Sequence, residues 1–188
     1  GVFEMINFAL DSTESGEFEG IIIGTDDTYA FCAGANLGMI LMAAKMGQWD
    51  LLEGATKTLQ DIGMRMRYSP KPVVIAPAGL CLGGGAEITM HANRVVAAAE
   101  LYMGQVEIGV GVIPAGGGTK ELLRRIDVLI LNDGEAKLLT GQNNLIQAAK
   151  NILDMCPRFV VVKKGEHGSM MYSVEGDAFL LPAFPTHV

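Results

Sequence analysis

Three consecutive glycines at residues 83–85 constrain this chain more than any other feature, because they stand where an apolar segment gives way to helix-forming residues. Without side chains at a strand-to-helix turn, backbone N–H groups can approach a ligand closely. Glu87 follows inside the expected helix, and Glu107 lies further along the chain. Bare amides beside two carboxylates are typical of a site that stabilises an oxyanion and transfers protons.

The composition favours one large or two small globular domains of the α/β class. Of the 188 residues, 49% are hydrophobic, and the 24 glycines fall singly or in short runs between apolar segments. That distribution is typical of tight turns between buried strands and helices. The net charge of −7 argues against nucleic acid as a partner.

Apolar runs, possible targeting signals and cysteines together indicate the cellular compartment. No apolar run reaches the roughly 18–20 residues of a membrane span, and no basic segment precedes an apolar one as in a secretory signal. The three cysteines are scattered, which disfavours a disulfide framework or a metal cluster. A cytoplasmic protein without a membrane partner is expected, with an organelle matrix as the alternative.

Apolar periodicity indicates alternating strands and helices. Short β-branched runs predict strands at residues 20–24 and 72–76, and the first is expected to be buried on both faces. Apolar spacing predicts an amphipathic helix over residues 51–67. At residue 126 the pattern changes without a linker, so we expect one domain at residues 1–125 and another at 126–188.

Two loops of small residues suggest how the glycine-rich turn acts. Ala35 follows Gly34 in one loop, and Gly84 begins the expected helix. Two N–H groups converging from separate loops would bind a thioester carbonyl as it gains enolate charge, with Glu87 and Glu107 beside the adjacent carbons. The alternative is that the glycines merely pack helices on strands and the glutamates lie at the surface. These residues alone leave both interpretations open.

Three motifs carry a family resemblance. They are FCAGANL at residues 31–37, GLCLGGGAE at 79–87, and a third that begins GQVE at 104 and ends IPAGGGT at 119. In this order and spacing, residues 2–125 resemble the crotonase (enoyl-CoA hydratase/isomerase) family, more narrowly the hydratase module of bacterial 3-hydroxyacyl-CoA dehydrogenases. The resemblance implies an α/β fold with a crotonase-like β-β-α spiral core, and a lyase of fatty acid metabolism.

The resemblance also implies roles for particular residues. The N–H groups of Ala35 and Gly84 would form the oxyanion hole. Glu87 would activate water for attack at C3, and Glu107 would protonate C2. The remaining implied substrate contacts are Ala33, Gly34, Gly83 and Pro114. The implied partner is an acyl-CoA thioester, hydration would need no metal or cofactor, and a homo-oligomer is left open.

Some features depart from the family. Asn36 stands where many members carry aspartate, and Ala115 replaces a common glycine. The chain begins at Gly1 without methionine, and residues 184–188 resemble the approach to another strand. We therefore expect the family's first strand to be missing and the C-terminal helical region to be absent, which leaves the spiral incomplete and an inactive site as an alternative.

Residues 126–188 resemble a fragment of a PfkB/ribokinase-like carbohydrate kinase, which implies a partial ribokinase-like α/β segment. Asn132 and Glu135 fit the family's N-x-x-E pattern, and Gly165 and Gly168 fit its glycine turn after a strand. The resemblance implies that the first pair organises Mg²⁺ and phosphate and that the turn lies near a nucleotide, with Mg-ATP as cofactor. The N-x-x-E pattern also caps helices. The family's catalytic aspartate motif is missing, so kinase activity is not expected, and an inactive chimera is the third alternative.

Overall fold

The computed structural model describes residues 1–184, apart from the side chain of Ile108. The expected approach to another strand, residues 184–188, lies outside the described residues except for Phe184. The chain divides into two compact units, Gly1–Glu121 and Leu122–Val188. The sequence predicts a boundary between residues 125 and 126, and its assignment of the two parts to two different families stays a prediction.

In the first unit, strands come in pairs and helices follow them. Its helices are α1 (Val2–Glu14), α2 (Leu37–Lys45), α3 (Trp49–Arg67), α4 (Gly84–His91) and α5 (Gly118–Leu123), the last of which crosses the unit boundary. Its strands are β1 (Ile21–Gly24), β2 (Ala30–Cys32), β3 (Val73–Ala76), β4 (Leu80–Leu82), β5 (Arg94–Val95) and β6 (Tyr102–Gly104).

The six strands form two parallel three-stranded sheets, with the orders β1-β3-β5 and β2-β4-β6. Each consecutive pair therefore contributes one strand to each sheet before the chain enters a helical segment. This is the β-β-α repeat that the resemblance predicts. It brings the loops after β2, β4 and β6 together, because parallel strands end at the same edge of a sheet.

The core of the first unit lies between α1, α3 and the β1-β3-β5 sheet. Leu10, Met66, Val73 and Ile75 have no exposed surface there. The prediction that β1 is buried on both faces is wrong, because Ile22 is 80% exposed. β1 is an edge strand that packs one face against the core, so its side chains alternate inward and outward.

The second unit is a mixed sheet with two helices. It consists of β7 (Val128–Asn132), α6 (Asp133–Thr140), α7 (Leu145–Leu153), β8 (Phe159–Lys163), β9 (Ser169–Ser173) and β10 (Ala178–Leu181). The strand order is β10-β9-β8-β7, and only the β7–β8 pair is parallel. Ala148 and Ile152 of α7 pack against Val160 and Val162 of β8 in its core.

No helix in residues 1–184 combines the length and the apolar character that crossing a membrane requires.

Candidate active site

The glycine-rich turn connects β4 to α4. Gly83 has φ 54°, a left-handed conformation that side chains disfavour, and it precedes the first residue of the helix. A Cβ on Gly83 would lie 3.1 Å from Oε1 of Glu107, and one on Gly85 would lie 2.5 Å from Cβ of Cys32. The turn therefore disfavours a side chain at Gly83, because of its φ, and at Gly85, because of Cys32 of β2.

A cavity of about 410 Å³ lies beside this turn in the first unit. It is lined by most of the predicted site residues: Ala33, Gly34, Ala35, Gly83, Gly84, Glu87 and Glu107. Pro114 is not among the lining residues, although Ile113 and Ala115 on either side of it are. The alternative in which both glutamates lie at the surface, away from a site, does not fit this arrangement.

The two predicted oxyanion-hole amides come from different loops. Ala35 lies in the segment between β2 and α2, and Gly84 is the first residue of α4. The first N–H groups of a helix have no acceptor within the helix. Among residues 1–184, neither of these two amides donates a hydrogen bond, so both are available to a ligand. Asn36 caps α2 by accepting from the Met39 amide at 3.1 Å.

Glu87 is held in one orientation by backbone amides. Its side chain is 2% exposed, and Oε1 accepts hydrogen bonds from the N–H groups of Gly116 at 2.9 Å and Gly118 at 3.0 Å. Oε2 makes no such bond within the described residues and belongs to a side chain on the cavity wall. The arrangement fixes one carboxylate oxygen and leaves the other for a ligand or a water molecule.

Glu107 reaches the same cavity from the segment that follows β6. It begins a 3-10 helix, Glu107–Val110, after β6. Its Oε2 is buried and has no hydrogen-bond partner among the described residues. A buried polar atom without a partner is unfavourable unless a ligand or water satisfies it. Glu107 is thus a second candidate for proton transfer.

The rest of the cavity wall is mainly apolar. The α2 and α3 helices contribute Ile40, Leu52 and Leu59, and the segment after β6 contributes Val110 and Ile113. Such a wall favours an alkyl group over a sugar or a peptide backbone. The site therefore combines an apolar pocket with two carboxylates and two available amides.

Sequence analysis missed the residues that hold Glu87. Gly116 and Gly118 belong to the third motif, but that glycine run predicts only the start of a helix. A Cβ on Gly116 would lie 2.5 Å from Oε2 of Glu87, and one on Gly118 would lie 2.6 Å from its Cγ. The second glycine triplet of the chain, at residues 116–118, was the available signal that a backbone approaches another group here.

A buried charge cluster at α5 was also missed. Glu121 has no exposed surface, and its carboxylate lies 2.7 Å from Nη1 of Arg67 and 3.3 Å from Nζ of Lys120. Burial opposes ionisation of Glu121, but the hydrogen bond from Lys120 and the charge of Arg67 outweigh it and lower the pKa of this carboxyl below its ordinary value. The cluster ties α5 to α3 next to the loop that holds Glu87.

The residues of the kinase-like motifs fulfil local structural roles in the second unit. The Asn132 N–H donates to Oε2 of Glu135 at 2.7 Å, and the Glu135 N–H donates to Oδ1 of Asn132 at 2.8 Å. This reciprocal pair is a capping box at the start of α6. Gly165 and Gly168, with φ 55° and 82°, form the tight turn between β8 and β9. No cluster of potential metal ligands is present in residues 1–184.

Comparison with known proteins places the fold and the motifs in one family. The model of the family Enoyl-CoA hydratase/isomerase matches residues 2–150, which extends beyond the predicted end of the resemblance at residue 125. The chain is 46% identical over 121 residues to a probable 3-hydroxyacyl-CoA dehydrogenase of Bacillus subtilis, and 33% identical over 144 residues to the mitochondrial methylglutaconyl-CoA hydratase of mouse. These matches do not show the predicted PfkB-like fragment at residues 126–188.

These matches cover unequal shares of the proteins compared. The bacterial relative is matched over 64% of this chain and 15% of its own length, and the mouse hydratase over 75% and 45%. The crystal structure of enoyl-CoA hydratase from Bacillus anthracis superposes with a TM-score of 0.58 at 29% identity, covering 80% of this chain and 56% of that one. The chain thus spans less than two thirds of the length of these relatives.

Proposed function

The chain belongs to the enoyl-CoA hydratase/isomerase family, and on that premise we propose that it is a lyase that adds water across the C2–C3 double bond of 2-enoyl-CoA thioesters. The observation that carries the proposal is that two carboxylates and two available amides line one apolar cavity. An isomerase needs to move one proton, whereas hydration uses separate groups for water and for C2. Glu87 and Glu107 supply such a pair.

In the proposed reaction, Glu87 takes a proton from a water molecule while the water oxygen forms a bond to C3. The electron pair of the C2–C3 double bond moves toward the thioester carbonyl, whose oxygen gains enolate charge. The N–H groups of Ala35 and Gly84 donate to that oxygen, and preorganised donors of this kind contribute about 3–4 kcal/mol each to the transition state. Glu107 then protonates C2, and solvent exchange returns both carboxyl groups to their starting states.

The two carboxylates have different surroundings, which supports different roles. Glu87 accepts two backbone hydrogen bonds on Oε1, which fix its carboxylate and leave Oε2 for a water molecule. Glu107 has a buried oxygen without a partner in the described residues, which suits a group that carries a proton to the substrate. Each step uses a residue of this chain, so the proposal requires no metal or cofactor.

The substrate class rests on the pocket and on the family. The apolar wall formed by Leu52, Leu59 and Ile113 suits the alkyl part of an acyl-CoA thioester. The reciprocal capping of Asn132 and Glu135 accounts for the N-x-x-E pattern without a nucleotide. We therefore propose no kinase activity for the second unit.

Hydration of crotonyl-CoA tests the proposal, because the conjugated enoyl absorbance disappears as water adds. The wild-type chain is expected to turn over, and Glu87→Gln and Glu107→Gln are each expected to lower kcat by about 10²–10⁴-fold. Glu100→Gln, an exposed glutamate of the same unit, is the matched control and should leave kcat unchanged. Absence of turnover by folded wild-type protein at high concentration would reject hydration and favour the inactive alternative.

A further inference from the structure

His91 is a buried titratable residue that the proposed reaction does not use. It is the last residue of α4 and is 2% exposed. Its ring occupies a space between two glycines: a Cβ on Gly63 of α3 would lie 3.1 Å from the ring, and one on Gly117 would lie 3.6 Å from it. The sequence alone allows a surface or a core histidine at this position, and the structure places it in the core.

The hydrogen bond of His91 leads directly to Glu87. Nδ1 lies 2.7 Å from the backbone oxygen of Glu87. A carbonyl oxygen can only accept, so Nδ1 must carry the proton. The imidazole therefore donates to the main chain of the residue whose side chain is proposed to activate water.

The same ring touches the loop that holds the Glu87 carboxylate. Gly117 lies between Gly116 and Gly118, whose N–H groups both donate to Oε1 of Glu87. Gly117 has φ 91°, and a Cβ on it would lie 3.6 Å from Cε1 and Nε2 of the imidazole, so the ring borders this glycine. One side chain thus donates to the backbone of Glu87 and borders the middle of the loop that orients its carboxylate.

A charged group beyond the loop faces the second ring nitrogen. Nε2 lies 4.0 Å from Oε1 of Glu121 on α5, which begins at Gly118. Glu121 is itself paired with Arg67 of α3 and Lys120 of α5. The ring is therefore fixed by groups from three helices, α3, α4 and α5.

Packing alone does not require a histidine at this position. A buried polar ring is unfavourable unless its nitrogens find partners, and an apolar side chain would fill the same space without that cost. We propose that His91 is a positioning residue: its imidazole keeps the α4 backbone and residues 116–118 aligned so that the Glu87 carboxylate keeps its catalytic orientation. This role rests on the hydratase function proposed above.

Two variants separate the contacts of the ring. His91→Phe keeps an aromatic ring beside Gly117 but loses the donor to Glu87, and His91→Asn keeps an N–H near the Nδ1 position but vacates the space beside Gly117. A misplaced catalytic group reduces turnover more than binding, so each variant is expected to lower kcat about tenfold to hundredfold while KM changes less than about twofold. His167→Asn and His167→Phe are matched controls, because this side chain in the second unit is 76% exposed.

Hydrogen exchange of the Gly116 and Gly118 amides, measured by NMR without substrate, gives a readout independent of activity. Both His91 variants should speed exchange at these two amides while amides of β3 keep their wild-type protection. Unchanged exchange and kcat in both variants would overturn the proposal, as would an equal loss of protection across the whole unit, which indicates a merely structural role. If one variant does not fold, the other carries the test. If the wild-type chain lacks hydratase activity, the proposed function fails while the exchange experiment still tests the contact.

Discussion

The backbone N–H of Gly116 donates a 2.9 Å hydrogen bond to Oε1 of Glu87, which lies 29 residues earlier in the chain. The bond joins the α4 helix to the loop before α5, and the amide of Gly118 adds a second bond to the same oxygen. Glu87 therefore depends for its orientation on a backbone segment that carries no functional side chain. Small changes in that segment should affect activity before they affect folding.

Gly116→Ala tests this dependence. The new Cβ would lie 2.5 Å from Oε2 of Glu87 and 2.7 Å from Cδ2 of Leu59, so the carboxylate must shift. We expect kcat for crotonyl-CoA hydration to fall by about tenfold to hundredfold, since misplacement of a catalytic group by about 1 Å has an effect of this size. Steady-state kinetics with circular dichroism measures both activity and fold.

Gly54→Ala is the matched control for that variant. Gly54 lies in α3, and its Cβ would meet nothing within 4 Å. Alanine in an exposed helix interior stabilises by about 1 kcal/mol relative to glycine, so this variant should melt slightly higher and keep its kcat. Full activity in Gly116→Ala would contradict the orienting role of the loop.

The buried carboxylate of Glu121 should make stability depend on acidic pH. Burial alone would raise its pKa, but the hydrogen bond from Lys120 and the charge of Arg67 outweigh burial, so the pKa is lowered in the folded chain. The stabilisation is therefore fully present above the ordinary value of 4.5 and is lost as the pH falls through the lower, folded-state pKa. Urea unfolding between pH 7 and pH 3 should show this loss in the wild type and a smaller one in Glu121→Gln.

The same variant should also be less stable at neutral pH. Removing the charge leaves Arg67 without its buried partner, so we expect a loss of about 1–3 kcal/mol in the free energy of unfolding. Asp61→Asn is the control: the Lys57–Asp61 pair is exposed, and surface pairs contribute about 0.2–1 kcal/mol. Equal effects of the two substitutions would show that the Glu121 cluster is not buried in solution.

The features that can be predicted from the sequence depend on residues close together in the chain or on recognisable motifs. Short β-branched runs predict β1 and β3, and the family motifs predict one site for Glu87 and Glu107, which line the same cavity. Helix α1 extends to Glu14 through a polar stretch, and there Oγ1 of Thr13 donates to the Leu10 carbonyl at 2.8 Å. Polar residues that bond their own helix backbone cannot be distinguished from a turn by composition.

The features that could not be predicted from the sequence depend on contacts between segments that lie far apart in the chain. The hydrogen bonds from Gly116 and Gly118 to Glu87 join residues 29 and 31 positions apart, and no periodicity encodes such a pair. The exposed face of β1 and the buried position of His91 likewise follow from which elements pack together. These features become visible only when the two sheets and their helices are assembled.

The capping box at α6 gives a prediction that separates structural from ligand-binding roles. Asn132→Ala removes the side chain that accepts from the Glu135 amide, and loss of such a cap costs about 1 kcal/mol. Asn144→Ala, which removes the N-cap of α7 without an N-x-x-E pattern, should cost a similar amount. Thermal unfolding measures both. An increase in the melting temperature on adding MgATP that Asn132→Ala abolishes would contradict a purely capping role.

The turn between β8 and β9 gives the last prediction, because both of its glycines have a positive φ but their surroundings differ. A Cβ on Gly168 would lie 2.0 Å from the backbone oxygen of Leu181 in β10, whereas one on Gly165 would meet nothing within 4 Å. Gly165→Ala should therefore cost only the strain of its positive φ, about 1–2 kcal/mol. Gly168→Ala should cost more and separate β10 from β9. Hydrogen exchange along β9 and β10 measures the difference, and equal protection in the two variants would show that β10 does not pair with β9 in solution.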